Sequence, residues 1–177
     1  MASILDLTIN GQRARLSADD HATLLDVLRN ELGLRGTRFG CGLEQCGACM
    51  VLIDGVPEFA CTRLISTLGG KNVRTIEGLT EDGSIVPLRD AFLAEQAGQC
   101  GFCLSGILVS AKALLDRNPK PSRAEIAAAL DKNLCRCGAH NRIIRAVQRA
   151  AAARSGTRAD LSRSASANNT PATGARE

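Results

Sequence analysis

Tryptophan and tyrosine are absent from this 177-residue chain, and phenylalanine occurs only four times. The cores must therefore be built from Leu, Ile, Val and Ala, and no row of aromatic rings is available on which nucleic-acid bases could stack. A net charge of +4 is modest, so no nucleic-acid partner is expected. Histidine occurs twice. His21 falls in a polar turn, and His140 lies near the start of the last helix without a second histidine beside it, so neither reads as a metal ligand. No apolar run is long enough to span a bilayer. The opening residues Met1–Asn10 carry no basic n-region, no apolar h-region and no twin arginine. A reduced, cytoplasmic compartment is the expectation. No nucleophile with its base and no phosphate loop is present, which excludes evident substrate-transforming chemistry in the chain itself.

What the chain has in quantity is cysteine, eight residues in all. In a reduced compartment clusters of cysteine bind metal more often than they pair as disulfides. They fall into two sets of four. Cys41, Cys46, Cys49 and Cys61 read C-x4-C-x2-C and, after eleven residues, C. That is the spacing by which plant-type ferredoxins hold a [2Fe–2S] cluster. A binuclear iron–sulfide unit wants two thiolates per iron, and the glycines Gly40, Gly42 and Gly47 allow backbone N–H groups to approach its sulfurs. Cys61 alone could be a buried core cysteine, but one hairpin separates it from Cys49, which favours a fourth ligand. The second set, Cys100, Cys103, Cys135 and Cys137, reads C-x2-C and, after thirty-one residues, C-x-C. By spacing it suits an iron–sulfur cluster, or a four-cysteine zinc site. A thioredoxin-like pair at Cys100-Gly101-Phe102-Cys103 lacks the surrounding βαβ pattern.

The chain divides at about the same place as its cysteines. Residues 4–9 and 13–17 alternate apolar and polar around Asn10-Gly11, a hairpin signature. Thr23 is placed to cap a helix bearing Leu24, Leu25, Leu28 and Leu32, with Gly33 as its stop. A second hairpin turns at Asp54-Gly55, and Val73 to Ile76 supplies one more strand. From residue 85 onward the period changes to helical, and Leu88, Ala91 and Phe92 begin the first helix of this half. That helix runs toward Cys100, and a second carries Leu104, Ile107, Leu108, Ala111, Leu114 and Leu115 up to Asn118-Pro119. A third opens with the capping box Ser122/Glu125, and a fourth carries Ile143, Ile144, Val147 and Ala151. The expected fold is α+β. A β-grasp ferredoxin-like domain occupies 1–78, a linker 79–87 and a four-helix bundle 88–154. Residues 155–177 form a polar tail that buries too little to order itself, or else serve as a basic docking arm.

Taken together, Cys41-Gly-Leu-Glu-Gln-Cys46-Gly-Ala-Cys49, Gln99-Cys100-Gly-Phe-Cys103 and Cys135-Arg-Cys137-Gly resemble the iron–sulfur subunit of the molybdenum hydroxylases, the xanthine oxidase family. The likeness covers about residues 3–153. It implies two [2Fe–2S] clusters, one in each domain, and an electron-transfer rather than a catalytic role. A large partner subunit would bind molybdopterin, as the cytosine dinucleotide, and oxidise substrate. Electrons would pass to the helical-domain cluster, next to the β-grasp cluster, then out to an FAD subunit or a c-type cytochrome. The motif match places Gln99 and Cys137 against the pterin. Leu104-Ser105 and the residues around Ala139-His140 depart from many relatives and look more like the nicotinate- and isoquinoline-oxidising members than the carbon monoxide dehydrogenase branch. An N-heteroaromatic substrate is thereby implied, with aldehyde oxidation as the alternative. From the residues alone, a stand-alone ferredoxin-type carrier is the competing class.

Overall fold

The computed structural model describes residues 2–167. Strands β1 (Ala2–Ile9) and β2 (Gln12–Asp19) pair antiparallel, turning at Asn10 and Gly11, whose φ angles are 51° and 82°. Strands β3 (Met50–Ile53) and β4 (Val56–Phe59) repeat the device at Asp54 and Gly55, with φ of 50° and 83°. Two successive left-handed residues match the right-handed twist of the flanking strands. Strand β5 (Asn72–Arg74) joins the two hairpins, parallel to β1 and antiparallel to β3, and the sheet order is β2-β1-β5-β3-β4.

Helix α1 (Leu24–Asp26) buries Leu24 and Leu25. The Thr23 hydroxyl oxygen accepts from the Asp26 N–H at 3.2 Å, the expected cap. The helix does not continue as one α-helix. It passes into a π-helical turn over Val27–Glu31 before Gly33, at φ 69°, ends it.

Strand β5 is shorter than the predicted Val73–Ile76. Asn10 is the reason. Its side-chain oxygen accepts from the Thr75 N–H at 2.8 Å, while its amide donates to the Thr75 hydroxyl at 3.1 Å. Those bonds take Thr75 out of the ladder, and helix α2 (Ile76–Glu81) begins at the next residue. The stretch expected as a linker over 79–87 is thus helical up to Glu81, and α3 (Val86–Ala94) starts two residues ahead of the expected 88, with Pro87 in its first turn.

Helices α4 (Leu104–Arg117) and α5 (Arg123–Ala129) fall where the sequence puts them. Helix α6 (His140–Ala167) runs past Ser155, into the segment expected to lack structure. Once the docked part of a helix is formed, each added residue gains a backbone bond without a new nucleation cost. The remainder of the expected tail, 168–177, lies outside the described residues.

Helix α4 organises the molecule. It packs on β3 and β4 on one side and on α2, α3 and α5 on others, while α6 packs on α3 and α5. Buried Ile107, Leu114 and Leu115 of α4 belong to the same apolar cluster as Leu28, Val51 and Val73 of the sheet half and Ile143 and Val147 of α6. At roughly 1.5–3 kcal/mol for each large apolar side chain fully buried, this shared core holds the two halves together.

The capping box of α5 is complete. Glu125 N–H donates to the Ser122 hydroxyl, and Ser122 N–H donates to the Glu125 carboxylate at 2.7 Å. The Ser122 hydroxyl and N–H hold the Glu125 carboxyl below its ordinary range. A depressed carboxyl pKa stabilises the fold above the unfolded value, and this is lost as pH falls through the folded value. Ser122→Ala is therefore expected to lower thermal stability at neutral pH, by about 1 kcal/mol. Its deficit relative to the parent protein should shrink in melts taken below pH 4.

Candidate iron–sulfur sites

All eight cysteines are free thiols, and they lie in neighbouring pairs. Cys41 and Cys46 face each other in the loop before β3, where the Cys41 N–H donates to the Cys46 sulfur at 3.3 Å. The N–H groups of Leu43 and Gln45 both donate to the Cys41 sulfur, also at 3.3 Å. A Cβ added at Gly40 would stand 2.6 Å from the Cys46 sulfur, so only glycine lets the chain wrap this closely. Cys49, at the entry to β3, and Cys61, just beyond β4, form the second pair through a mutual thiol hydrogen bond. The Ala60 N–H donates to the Cys49 carbonyl at 3.2 Å and closes the hairpin that brings them together.

The other set lies between helices. Cys103 immediately precedes α4 and pairs with Cys135, while the sulfurs of Cys100 and Cys137 are 3.5 Å apart. That separation is far beyond the ~2.05 Å of a disulfide bond. The amino end of α4 carries the partial positive charge that favours an anionic group.

The environments of the thiols differ in a consistent way. Burial pushes Cys49 and Cys103 up to about 12. At Cys41 burial also acts upward, but the N–H groups of Leu43 and Gln45 outweigh it and hold the thiol down at about 7. Cys100 is lowered by the Phe102 N–H first and by Cys137 next. Cys135 is lowered too, its burial overcome by the N–H of Ala139 and the neighbouring Cys103. Exposed and half-buried thiols held low by N–H groups, together with the buried Cys49 and Cys103 that resist ionising, suit a metal centre whose charge offsets the buried thiolates. A mononuclear zinc site would need four donors around one point. Among the described residues no group of three or more His, Cys, Asp or Glu side chains is arranged to hold a single ion. Thiols arranged two by two fit instead a binuclear [2Fe–2S] unit with two protein ligands on each iron.

The two sets are near neighbours. The Leu134 N–H, one residue before Cys135, donates to the Cys46 carbonyl at 3.0 Å, and the buried Asn133 amide donates to the Gly47 carbonyl at 3.3 Å. Arg38, in the loop before Cys41, donates to the Gly101 carbonyl at 2.8 Å and lies 5.4 Å from the centre of the Phe102 ring. Neither Arg38 nor Asn133 stands out in the sequence. A cation three residues ahead of the first cysteine is the only signal for the former, and nothing local marks the latter. Gln99 is exposed beside Cys100, on an apolar cleft of about 340 Å³ lined by Phe92, Leu93, Leu104 and Leu108. His21 and His140 are both exposed. Among the described residues no helix is long and apolar enough to cross a membrane.

Comparison with known proteins agrees with this architecture. Residues 7–68 match the family described as the 2Fe-2S iron-sulfur cluster binding domain, and residues 75–148 match the [2Fe-2S] binding domain. The chain is 47% identical to a nicotinate dehydrogenase subunit of Pseudomonas putida over 154 residues, covering 87% of this chain and 98% of that protein. It is 43% identical to the nicotine 6-hydroxylase small subunit of Paenarthrobacter nicotinovorans over 143 residues, covering 81% and 86%. The crystal structure of quinoline 2-oxidoreductase from Pseudomonas putida contains a chain that superposes with a TM-score of 0.79 at 36% identity, covering 86% of this chain and 95% of that one. Matched in both halves and over most of the length of these relatives, the chain belongs to the small [2Fe–2S] iron–sulfur subunits of the molybdenum hydroxylases, the xanthine oxidase family.

Proposed function

We propose that this chain conducts electrons, without itself transforming substrate, in a cytoplasmic molybdenum hydroxylase that oxidises an N-heteroaromatic compound of the nicotinate type. The observation that carries the reading is the arrangement of eight thiols as two pairs in each of two sets. In it Cys41, Cys46, Cys49 and Cys61 hold one [2Fe–2S] cluster, and Cys100, Cys103, Cys135 and Cys137 hold the other. Such a cluster, when bound, takes up and releases a single electron. The residues around it keep that exchange favourable. The N–H groups of Leu43 and Gln45 stabilise negative charge on the Cys41 sulfur, and the buried positions of Cys49 and Cys103 keep water from the inner ligands.

The N-heteroaromatic substrate rests on the names of the relatives, which refer to nicotinate, nicotine and quinoline. A large partner subunit would hold molybdopterin cytosine dinucleotide and meet this chain at exposed Gln99 and half-buried Cys137. An FAD subunit or a c-type haem protein would accept the electrons.

Metal analysis and co-purification test this. The expected result is about four iron and about four acid-labile sulfide per chain, two of each per cluster. Reduction should give two distinguishable paramagnetic signals, and the chain should co-purify with a large molybdenum-containing polypeptide. Stoichiometric zinc with about two irons would overturn the assignment of the second set. A monodisperse lone protein that never associates with such a polypeptide would favour a free electron shuttle.

A further inference from the structure

The two cluster loops are tied by one cation, and its position points beyond a structural role. Arg38 is fixed at its base. Its N–H donates to the Ala48 carbonyl at 3.2 Å, and Arg29 holds the preceding segment by donating to the carbonyls of Arg35 and Thr37 at 2.9 and 2.8 Å. From this anchored loop in the sheet half, the half-buried Arg38 side chain crosses to the other half. There its guanidinium donates to the Gly101 carbonyl and lies over the Phe102 ring. Gly101 and Phe102 are the two residues between Cys100 and Cys103, so the charge is held against the segment carrying two of the four thiols of the helical set.

We infer that Arg38 is a positioning residue supplied by one domain to set the reduction potential of the cluster in the other. A reduced [2Fe–2S] centre carries one more negative charge than the oxidised one, so a fixed neighbouring cation favours reduction. The guanidinium is always protonated and its planar fork fits a carbonyl and an aromatic face together. It therefore raises the affinity of the helical-domain centre for an electron at every working pH. Because the cation comes from the loop leading to Cys41, any change in how the halves pack would alter the potential of the Cys100 set. This rests on the proposal that both sets hold [2Fe–2S] clusters.

The test is a dithionite titration of the purified holoprotein with redox mediators, following the two paramagnetic signals in the parent, Arg38→Gln and Arg38→Lys. Glutamine keeps a donor for the Gly101 carbonyl and removes the charge, whereas lysine keeps the charge and loses the fork. Arg38→Gln is expected to lower the reduced-to-oxidised ratio of the helical-domain cluster about tenfold at fixed potential, a shift of about 59 mV for one electron. Arg38→Lys should stay within about threefold of the parent, and the other cluster should move less in both variants. An unmoved midpoint in Arg38→Gln, equal behaviour of the two variants, or a larger shift at the Cys41 set would each overturn the inference. A parent protein without two signals would instead overturn the cluster assignment on which it stands.

Discussion

Replacing Cys49 with serine will remove one cluster and spare the other, leaving about two irons per chain where the parent holds about four. Cys49 is 2% exposed, and burial pushes its thiol up to about 12. Only coordination makes a thiolate favourable there. A serine oxygen is a harder, poorer ligand for iron–sulfur centres than sulfur is, and an unfilled site leaves the hydroxyl buried beside Cys61, at a cost of about 1–3 kcal/mol. The complementary variant, Cys137→Ser, should lose the other half of the iron. The two variants should show complementary signals: whichever paramagnetic centre one keeps, the other lacks. Both should lose turnover with an external electron acceptor when assembled with the large subunit. Iron analysis and paramagnetic resonance on the purified variants decide it. Full iron in either variant, or the same signal lost from both, would refute the division of ligands.

Gly106→Ala should destabilise the protein by about 3 kcal/mol, although glycine-to-alanine in a helix interior ordinarily stabilises by about 1 kcal/mol. The sign reverses because α4 meets the Cys46–Cys49 loop backbone to backbone at this residue. A Cβ on Gly106 would fall inside contact distance of the Gly47 carbonyl oxygen, and within 3.3 Å of the Ala48 carbonyl carbon. Neither atom belongs to a flexible side chain. The same Gly47 carbonyl accepts from the buried Asn133 amide, so the loop has little room to retreat. A melting temperature about 6–12 °C lower is expected, together with faster iron loss to a chelator. Ser105→Ala is the control, one residue earlier on the same helix, where a buried hydroxyl has no hydrogen-bond partner. It removes a buried polar group that nothing satisfies, so it should melt at or above the temperature of the parent. Equal melting of Gly106→Ala and the parent would show that the two halves separate more freely than this packing allows.

The sequence determined what is local. Asn10-Gly11 and Asp54-Gly55 set their hairpins because few other pairs accept two left-handed residues. Thr23 and the Ser122/Glu125 box set helix starts by supplying oxygen to orphan N–H groups within three residues. The C-x4-C-x2-C spacing pointed to a ferredoxin-type loop for the same reason, since one short segment brings three thiols together, whereas the spacing of the second set left iron–sulfur and zinc both open. The tertiary structure decided what joins distant segments. Asn10 ends β5 early by capturing Thr75, sixty-five residues away, and no local pattern records that a turn amide will compete for a ladder bond. Gly106 and Asn133 read as an ordinary helix residue and an ordinary loop residue until α4 and the Cys135 segment close on Gly47. Arg38 is a surface cation in the sequence and becomes a link between two cluster loops only when Gly101 and Phe102 are brought to it. Side-chain type and spacing specify which atoms can bind iron. Which charges and backbones surround them depends on how the sheet and the helices pack around a common core, and that no stretch of the chain contains on its own.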